Sequence, residues 1–157
     1  MKSRKLLMIP GPIEFEPEVL RAMGMPTTSH VAPNFIEAFG QCLELMRTVW
    51  RAPSAQPFII AGSGTLAMDM AAANLVEKGD NVLVISTGYF GDRFISIFER
   101  YGATTTILET PIGESVLLES IEKELSSKQY KALAMTHVDT STGVLVDAKA
   151  IAKFEAL

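Results

Sequence analysis

Three short segments of the sequence combine glycines with hydroxyl side chains, and each follows a run of mostly apolar residues. They occupy residues 62–65 (Gly-Ser-Gly-Thr), 86–91 (Ser-Thr-Gly-Tyr-Phe-Gly) and 136–143 (Thr-His-Val-Asp-Thr-Ser-Thr-Gly). In open α/β sheets, ligands bind beyond the carboxyl ends of the strands. If the apolar runs are strands of one sheet, the three segments should lie along one edge, where they could bind a small polar ligand.

The first segment has the composition of a helix start that binds an anion. The amides of Ser63, Gly64 and Thr65 would point at whatever occupies the helix N-terminus, which is most often a phosphate. A Cβ at Gly62 or Gly64 would hold the backbone away from the phosphate oxygens. The alternative is a tight turn from strand to helix that binds nothing, and this segment alone does not decide between the two.

Two kinds of nucleotide site can be compared with the same segment. A Walker A loop requires a lysine after its last glycine, and Thr65 and Leu66 stand in that region. A dinucleotide fingerprint is formally satisfied by Gly62, Gly64 and Ala67. However, the acid that would hold a ribose at the end of the next strand is absent, so the dinucleotide interpretation is weak.

The other two segments offer an aromatic face and a cluster of hydroxyls. Tyr89 and Phe90 lie between two glycines, where a planar ligand ring could stack on an aromatic face; an aromatic that packs onto the sheet is the commoner arrangement. Hydroxyls are frequent in turns, and a single His-x-Asp pair is far from a metal site. The third segment contributes Thr136, Thr140, Ser141 and Thr142, with His137 and Asp139 beside them.

The elements that would position these segments follow from the apolar periodicity. Spacings of three and four predict amphipathic helices, and short continuous apolar runs predict strands buried on both faces. Their alternation predicts an α/β fold with a mainly parallel sheet covered on both faces. The predicted helices span 17–23, 34–51, 65–77, 92–101, 115–125 and the residues from 147 onward, with Asn34 and Ser115 as N-caps, and the predicted strands span 58–61, 82–85, 104–108 and 132–136.

Composition narrows the class of protein further. The 157 residues are 48% hydrophobic and 20% charged, with 14 basic and 18 acidic side chains and a net charge of −4, which is typical of a globular domain. No basic stripe is present, so we expect no nucleic acid partner. The single cysteine, Cys42, excludes an internal disulfide and a CxxC metal site; we expect it to be a small buried hydrophobic residue.

The lengths of the apolar runs bear on the cellular location of the protein. The first, at residues 6–9, ends at Pro10 and is too short for a signal peptide, and none approaches the roughly 18 residues of a membrane-spanning helix. We therefore expect neither secretion nor a membrane partner. The expected location is the cytoplasm or an organelle matrix, such as that of a peroxisome or mitochondrion.

Taken together, the segments resemble one known family. A phosphate-binding turn, a ring to stack on and a hydroxyl-rich edge at successive strand ends resemble the class V aminotransferases, whose pyridoxal phosphate domain has fold type I. Within that family the sequence is similar to the alanine:glyoxylate and serine:pyruvate branch. The resemblance covers nearly the whole chain and rests on residues 9–12, 29–30, 33–35, 61–65, 79–84 and 136–143.

This resemblance implies a cofactor, pyridoxal 5'-phosphate, and a role for each matching residue. It implies a three-layer large domain, with residues 1–33 as a proline-rich N-terminal arm and residues 34–157 as the N-terminal part of that domain. It also implies a homodimer. By the same resemblance, Ser63, Gly64 and Thr65 hold the cofactor phosphate, and the pyridine ring stacks on Phe90. The resemblance also implies that Thr140 forms a hydrogen bond with the phenolic oxygen and that Gly11 lies near the substrate carboxylate.

The reaction implied is transamination of a small amino acid, alanine or serine, with a 2-oxo acid such as glyoxylate or pyruvate. The Schiff-base lysine, the acid that pairs with the pyridinium nitrogen and the arginine that binds the substrate carboxylate are expected beyond Leu157. We therefore expect the sequence to be part of a longer enzyme and to be inactive alone. Two alternatives stay open: another fold type I enzyme, such as a cysteine desulfurase or a lyase, or a non-catalytic α/β domain that binds a nucleotide or phosphate.

Overall fold

The computed structural model describes residues 5–154, which form two compact units with a boundary between Ala61 and Gly62. The first four residues of the predicted arm and the last three of the predicted C-terminal helix lie outside the described residues. None of the helices within the described range is long and apolar enough to cross a membrane. The predicted domain boundary at residues 33 and 34 falls in the first turn of a helix of the first unit, and it stays a prediction.

The first unit contains the two helices that the sequence predicts. Helix α1 spans Pro17–Met23 and α2 spans Pro33–Val49. The predicted cap of α2 at Asn34 is wrong, because Pro33 is already the first helical residue and Ala32 occupies the N-cap position. Proline suits that first position, since its φ is preset for the helix and its missing amide hydrogen would have no helical acceptor.

Two further expectations for the first unit are wrong. Residues 58–61 do not form a strand: Phe58, Ile59 and Ile60 are 71%, 44% and 52% exposed, and they pair with no other described strand. A strand is stable only when a neighbour accepts its backbone hydrogen bonds. Cys42 is exposed rather than buried, because none of the residues described in its unit covers that side of α2.

The second unit is built on a three-stranded parallel sheet with the strand order β2, β1, β3. The predicted strands are confirmed to within about two residues, as is usual for such boundaries. A short antiparallel pair follows the sheet. In chain order the elements are α3 (Gly64–Leu75), β1 (Asn81–Ser86), α4 (Tyr89–Arg100), β2 (Thr104–Glu109), α5 (Leu118–Ser127), β3 (Ala132–Met135), β4 (Val138–Asp139), β5 (Val144–Leu145) and α6 (Ala148–Ile151).

Side chains of the central strand point alternately to the two faces of the sheet, and both faces are buried. Val82 and Val84 pack with residues of α3 and α4, whereas Leu83 and Ile85 pack with residues of α5 and α6. All four side chains have no exposed surface. This arrangement of helix, sheet and helix confirms the predicted three-layer α/β class, because only a strand covered on both faces is apolar at every position.

Two predicted helix starts in this unit are wrong. Helix α4 begins at Tyr89, three residues before the predicted start at Asp92. Helix α5 has Leu117 at its N-cap, in extended conformation, so the predicted cap at Ser115 lies before the helix. Glu119 is in the first turn, where a carboxylate interacts favourably with the helix dipole.

The strand order decides where a ligand could bind. After β1 the chain continues through α4 on one face of the sheet to β2, and after β2 it crosses through α5 on the other face to β3. The register sets Ile85 beside Met135 and Ser86 beside Glu109, so all three strands end at the same edge. In open α/β sheets, ligands bind in the crevice where the strand order reverses, which here is the edge between the ends of β1 and β3.

Candidate functional site

The Gly-Ser-Gly-Thr segment is the start of helix α3. Ser63 is its N-cap, and the Ser63 Oγ accepts a hydrogen bond of 3.2 Å from the Leu66 amide. The amides of Gly64 and Thr65 find no acceptor within residues 5–154. A Cβ added at Gly64 would meet nothing within 4 Å, so the space beside the first residue of the helix is open.

A cleft of about 640 Å³ runs between α3 and α4 and includes this helix start. Its volume is within the range of ligand pockets. Polar side chains dominate the lining, which contains hydroxyls, two carboxylates and two guanidinium groups. The lining residues are Ser63, Thr65, Leu66, Asp69, Tyr89, Asp92, Arg93, Ser96, Ile97 and Arg100.

The two aromatic residues at the start of α4 take different positions. Tyr89 lines the cleft and is 56% exposed, and its Oη accepts a hydrogen bond of 3.1 Å from Arg93. Phe90 is half-buried and is not among the residues that line this cleft. The two rings meet edge to face, with 5.2 Å between their centroids. Tyr89 therefore lies at the wall of this cleft and Phe90 does not; the ring-stacking role predicted for Phe90 stays a prediction.

The third segment reaches the second through Asp139, which is fully buried at 0% exposure. Asp139 Oδ2 accepts hydrogen bonds from the amides of Phe90, at 2.9 Å, and Gly91, at 3.2 Å. Asp139 Oδ1 accepts from the Ser141 amide, at 3.0 Å, and from the Ser141 Oγ, at 2.6 Å. The carboxylate thus caps α4, whose own N-cap residue, Gly88, has no side chain.

These hydrogen bonds set the ionisation of the Asp139 carboxyl. Burial alone raises its pKa, but the hydrogen bonds from Ser141, Gly91 and Phe90 outweigh burial and hold the pKa below its ordinary value. A carboxylate that accepts several hydrogen bonds is stabilised in its charged form. Asp139 is therefore ionised at neutral pH and carries a negative charge against the positive end of the α4 dipole.

Close packing at this corner explains the glycine at position 88. A Cβ at Gly88 would lie 2.5 Å from Ser141 Oγ and 2.9 Å from Asp139 Cγ. A second tie joins the two segments, since Thr142 Oγ1 donates a hydrogen bond of 2.8 Å to the Thr87 carbonyl. The turn between β4 and β5 is in this way fastened to the end of β1.

Two threonine hydroxyls remain without partners at the same edge of the sheet. Thr87 Oγ1 and Thr136 Oγ1 are buried and make no hydrogen bond with the residues that the structure describes. They follow the ends of β1 and β3, the two strands that border the crevice. Such unpaired buried groups are uncommon in native proteins.

The structure brings the three segments together, as predicted, although it leaves the roles of the individual residues untested. Ser63, Gly64 and Thr65 form one turn at the cleft, and Phe90 starts α4. Thr140 is exposed in the turn between Asp139 and Ser141, and Gly11 is an exposed residue of the first unit.

No role for Asp139 follows from the expectations drawn from the sequence. An acid placed between an apolar strand and a run of hydroxyls is the signal that could have revealed it, because a carboxylate can accept several amides of a turn.

The geometry fits the phosphate group of a cofactor. At this helix N-terminus lie the hydroxyls of Ser63 and Thr65, two amides that have no acceptor among residues 5–154, and open space at the Cβ position of Gly64. Helix dipole and amide donors at such a position favour an anion. Within the described residues, no group of three or more His, Cys, Asp or Glu side chains could hold a metal ion.

Comparison with known proteins gives a family match over most of the chain. The family model described as Aminotransferase class-V matches residues 17–155.

Individual relatives agree with this match. The chain is 44% identical to alanine–glyoxylate aminotransferase 1 of Saccharomyces cerevisiae, over 97% of this chain and 41% of the yeast protein. It is 33% identical to L-aspartate–glyoxylate aminotransferase of Paracoccus denitrificans, over 96% of this chain and 39% of that protein. The chain thus spans about two fifths of the length of these curated relatives.

Solved structures of aminotransferases are similar to this chain in both fold and sequence. The alanine–glyoxylate aminotransferase of Nostoc sp. superimposes with a TM-score of 0.87 and 35% identity, over 97% of this chain and 41% of that one. The ureidoglycine–glyoxylate aminotransferase of Bacillus subtilis gives a TM-score of 0.87 and 32% identity, over 96% of this chain and 40% of that one.

Proposed function

Because the chain belongs to the class V aminotransferase family, we propose that the whole protein is a pyridoxal-phosphate-dependent aminotransferase. The proposed reaction moves the amino group of a small amino acid, alanine or serine, to a 2-oxo acid such as glyoxylate or pyruvate. Glyoxylate is favoured as the acceptor, because it appears in the names of the yeast, Paracoccus, Nostoc and Bacillus relatives.

The observation that carries the proposal is the start of α3. The amides of Gly64 and Thr65 have no acceptor in the part of the chain that the structure describes, and Ser63 and Thr65 line the same cleft. We propose that these three residues bind the cofactor phosphate. The positive end of the α3 dipole adds to the attraction of a doubly charged anion.

Two more residues of this chain belong to the proposed cofactor site. Phe90 is proposed to cover one face of the pyridine ring. The Thr140 hydroxyl is proposed to donate a hydrogen bond to the phenolic oxygen. When bound, pyridoxal phosphate supplies the electron sink that stabilises the negative charge left on the substrate α-carbon. The residues of this chain would hold the ring in one fixed orientation relative to the substrate α-carbon.

Two parts of the proposal concern substrate binding and assembly. Gly11, in the first unit, is proposed to lie near the substrate carboxylate. We also propose that the whole protein is a homodimer. The first unit supports an association of this kind, because many of its large apolar side chains, including Ile36, Leu45 and Trp50, are exposed, and such surfaces in soluble proteins often mark an interaction site.

The test is an assay of the whole protein with defined substrates. The apoprotein is reconstituted with pyridoxal phosphate, and binding is followed by the visible absorbance of the cofactor. Alanine is then supplied with glyoxylate, and serine is supplied with glyoxylate or pyruvate. Glycine is measured as the product from glyoxylate, and alanine as the product from pyruvate. Aspartate serves as a comparison donor, because one relative is named for it.

The outcomes separate the proposal from its alternatives. Glycine formed from glyoxylate at the expense of alanine or serine supports it. Sulfide release from cysteine without transamination would identify a desulfurase instead. A folded protein that binds no pyridoxal phosphate, but binds a nucleotide, would contradict the proposal and favour a non-catalytic binding domain.

A further inference from the structure

Asp139 controls the start of α4 from a distant part of the chain, and its buried carboxylate has no role in the proposed reaction so far. We propose that Asp139 is a positioning residue of the cofactor site, which fixes the aromatic pair Tyr89 and Phe90 at the first turn of α4. The inference rests on the proposed function, because it assigns Asp139 to that same site.

The two aromatic residues are held by two separate paths. Phe90 is held directly, since its amide donates to Asp139 Oδ2 at 2.9 Å. Tyr89 is held through Ser141: the Tyr89 amide donates to Ser141 Oγ at 3.0 Å, and that hydroxyl donates to Asp139 Oδ1 at 2.6 Å. One carboxylate therefore sets the backbone position of both rings.

The helix cannot provide this cap from its own residues. Its N-cap is Gly88, which makes no side-chain hydrogen bond. A side chain at that position would collide with Ser141 Oγ and Asp139 Cγ. The first amides of α4 thus depend on a carboxylate 49 residues away from Phe90 in sequence.

The charge of Asp139 matters as well as its shape. Four donors converge on its two oxygens, and a carboxylate is an acceptor at both. An asparagine of the same size has one acceptor oxygen and one amino group, which would face donors. Asp139→Asn therefore leaves one side of the corner unpaired, and unpaired buried donors are destabilising.

A shift of the first turn of α4 would change the wall of the cleft. Tyr89 forms part of the cleft wall together with Ser63 and Thr65, the residues proposed to hold the phosphate. Phe90, the next residue, is the one proposed to cover the pyridine ring. Loosening the cap should thus change how the cofactor is oriented, in addition to any change in stability.

The test is a double-mutant cycle on the whole protein, prepared as apoprotein. Its members are wild type, Asp139→Asn, Phe90→Leu and the double variant, all measured at a temperature where circular dichroism shows each one folded. The dissociation constant of pyridoxal phosphate is determined by titration. The visible circular dichroism of the bound cofactor is recorded because it reports the orientation of the ring.

We expect Asp139→Asn to raise the dissociation constant about tenfold, as for the loss of a hydrogen bond to a charged group, and to weaken the visible band. If Asp139 acts through Phe90, the double variant raises the dissociation constant by less than the product of the two single effects. Asp147→Asn is the matched control, since Asp147 caps α6 by accepting from the Ala150 amide at 2.9 Å. It should change the constant by less than about twofold, as a typical surface change does.

Each result decides the matter. A folded Asp139→Asn variant with unchanged affinity and an unchanged visible band, or effects that multiply, overturns the inference and leaves the proposed function standing. Wild-type protein that binds no pyridoxal phosphate contradicts the proposed function and the inference with it. If Asp139→Asn does not fold, Ser141→Ala replaces it, because that change releases Tyr89 and keeps the carboxylate; unchanged affinity and an unchanged band would then overturn the inference.

Discussion

At the scale of single residues, Gly64 is a position of the proposed phosphate site where a substitution should change ligand affinity without changing the stability of the fold. It is the first residue of α3, and a side chain there would extend into open space rather than into the protein. A substitution at Gly64 should therefore leave the fold intact while it changes what can approach the amides of the helix start. Few positions in a ligand site allow these two effects to be measured apart.

We predict that Gly64→Glu raises the dissociation constant of pyridoxal phosphate by more than about tenfold relative to Gly64→Gln. The two side chains have nearly the same size, so the difference isolates the repulsion between the carboxylate and the phosphate in a partly desolvated cleft. Thermal unfolding of the apoproteins is the control: a glutamate at a helix start interacts favourably with the dipole, so Gly64→Glu should be at least as stable as Gly64→Gln. Equal affinities would remove the α3 start from the phosphate site.

At the scale of elements, the N-caps of the helices come from both neighbouring and distant parts of the chain. Helix α3 is capped within its own segment by Ser63, and α6 is capped by the adjacent Asp147. Helix α4 is capped by Asp139, which belongs to β4. Local caps can be recognised from a few neighbouring residues, whereas the helix that Asp139 caps is set only by the fold.

We predict that Ser63→Ala lowers the free energy of unfolding of the apoprotein by about 1 kcal/mol, the usual effect of losing a serine N-cap. The reason is that the Leu66 amide loses its acceptor, Ser63 Oγ. Ser115→Ala is the matched control, because Ser115 precedes the N-cap of α5 and caps nothing; it should stay within about 0.5 kcal/mol of wild type. Urea denaturation measures both, and equal losses would contradict the assignment of the α3 cap.

At the scale of the whole molecule, the two units differ in how they bury apolar surface. The second unit surrounds its sheet with helices on both faces. In the first unit, large apolar side chains of α2, such as Ile36 and Leu45, are more than half exposed. Apolar residues at helical spacing normally face a partner surface, which supports the proposal that the whole protein is a homodimer.

We predict that the whole protein sediments as a dimer at micromolar concentration. Ile36→Glu and Leu45→Glu should each shift it toward monomer if the α2 surface contributes to the interface, because burying a charge there is unfavourable. Lys149→Glu, on α6 of the second unit, is a matched surface control, and sedimentation velocity compares all four proteins. A fully active wild-type monomer would contradict the dimer proposal.

Much of the fold could be predicted from the sequence because its signals are local. The apolar run at residues 82–85 and the spacing along 34–51 depend only on neighbouring side chains, and both elements form where expected. The Gly-Ser-Gly-Thr segment likewise starts a helix, as its composition predicts. The errors at Asn34 and Ser115 displaced helix starts by one to three residues, since extended backbone and proline competed with side-chain caps.

Tertiary structure alone decided the features that need a distant partner. Residues 58–61 are apolar enough for a strand but form none without a neighbour for their hydrogen bonds. The sequence also determined that glycines and hydroxyls would gather at one edge of the sheet, whereas the fold decided that Tyr89 lines the cleft and that Asp139 caps α4. The physical reason is that periodicity and composition act over a few residues, while these contacts join atoms that only the packed sheet brings together.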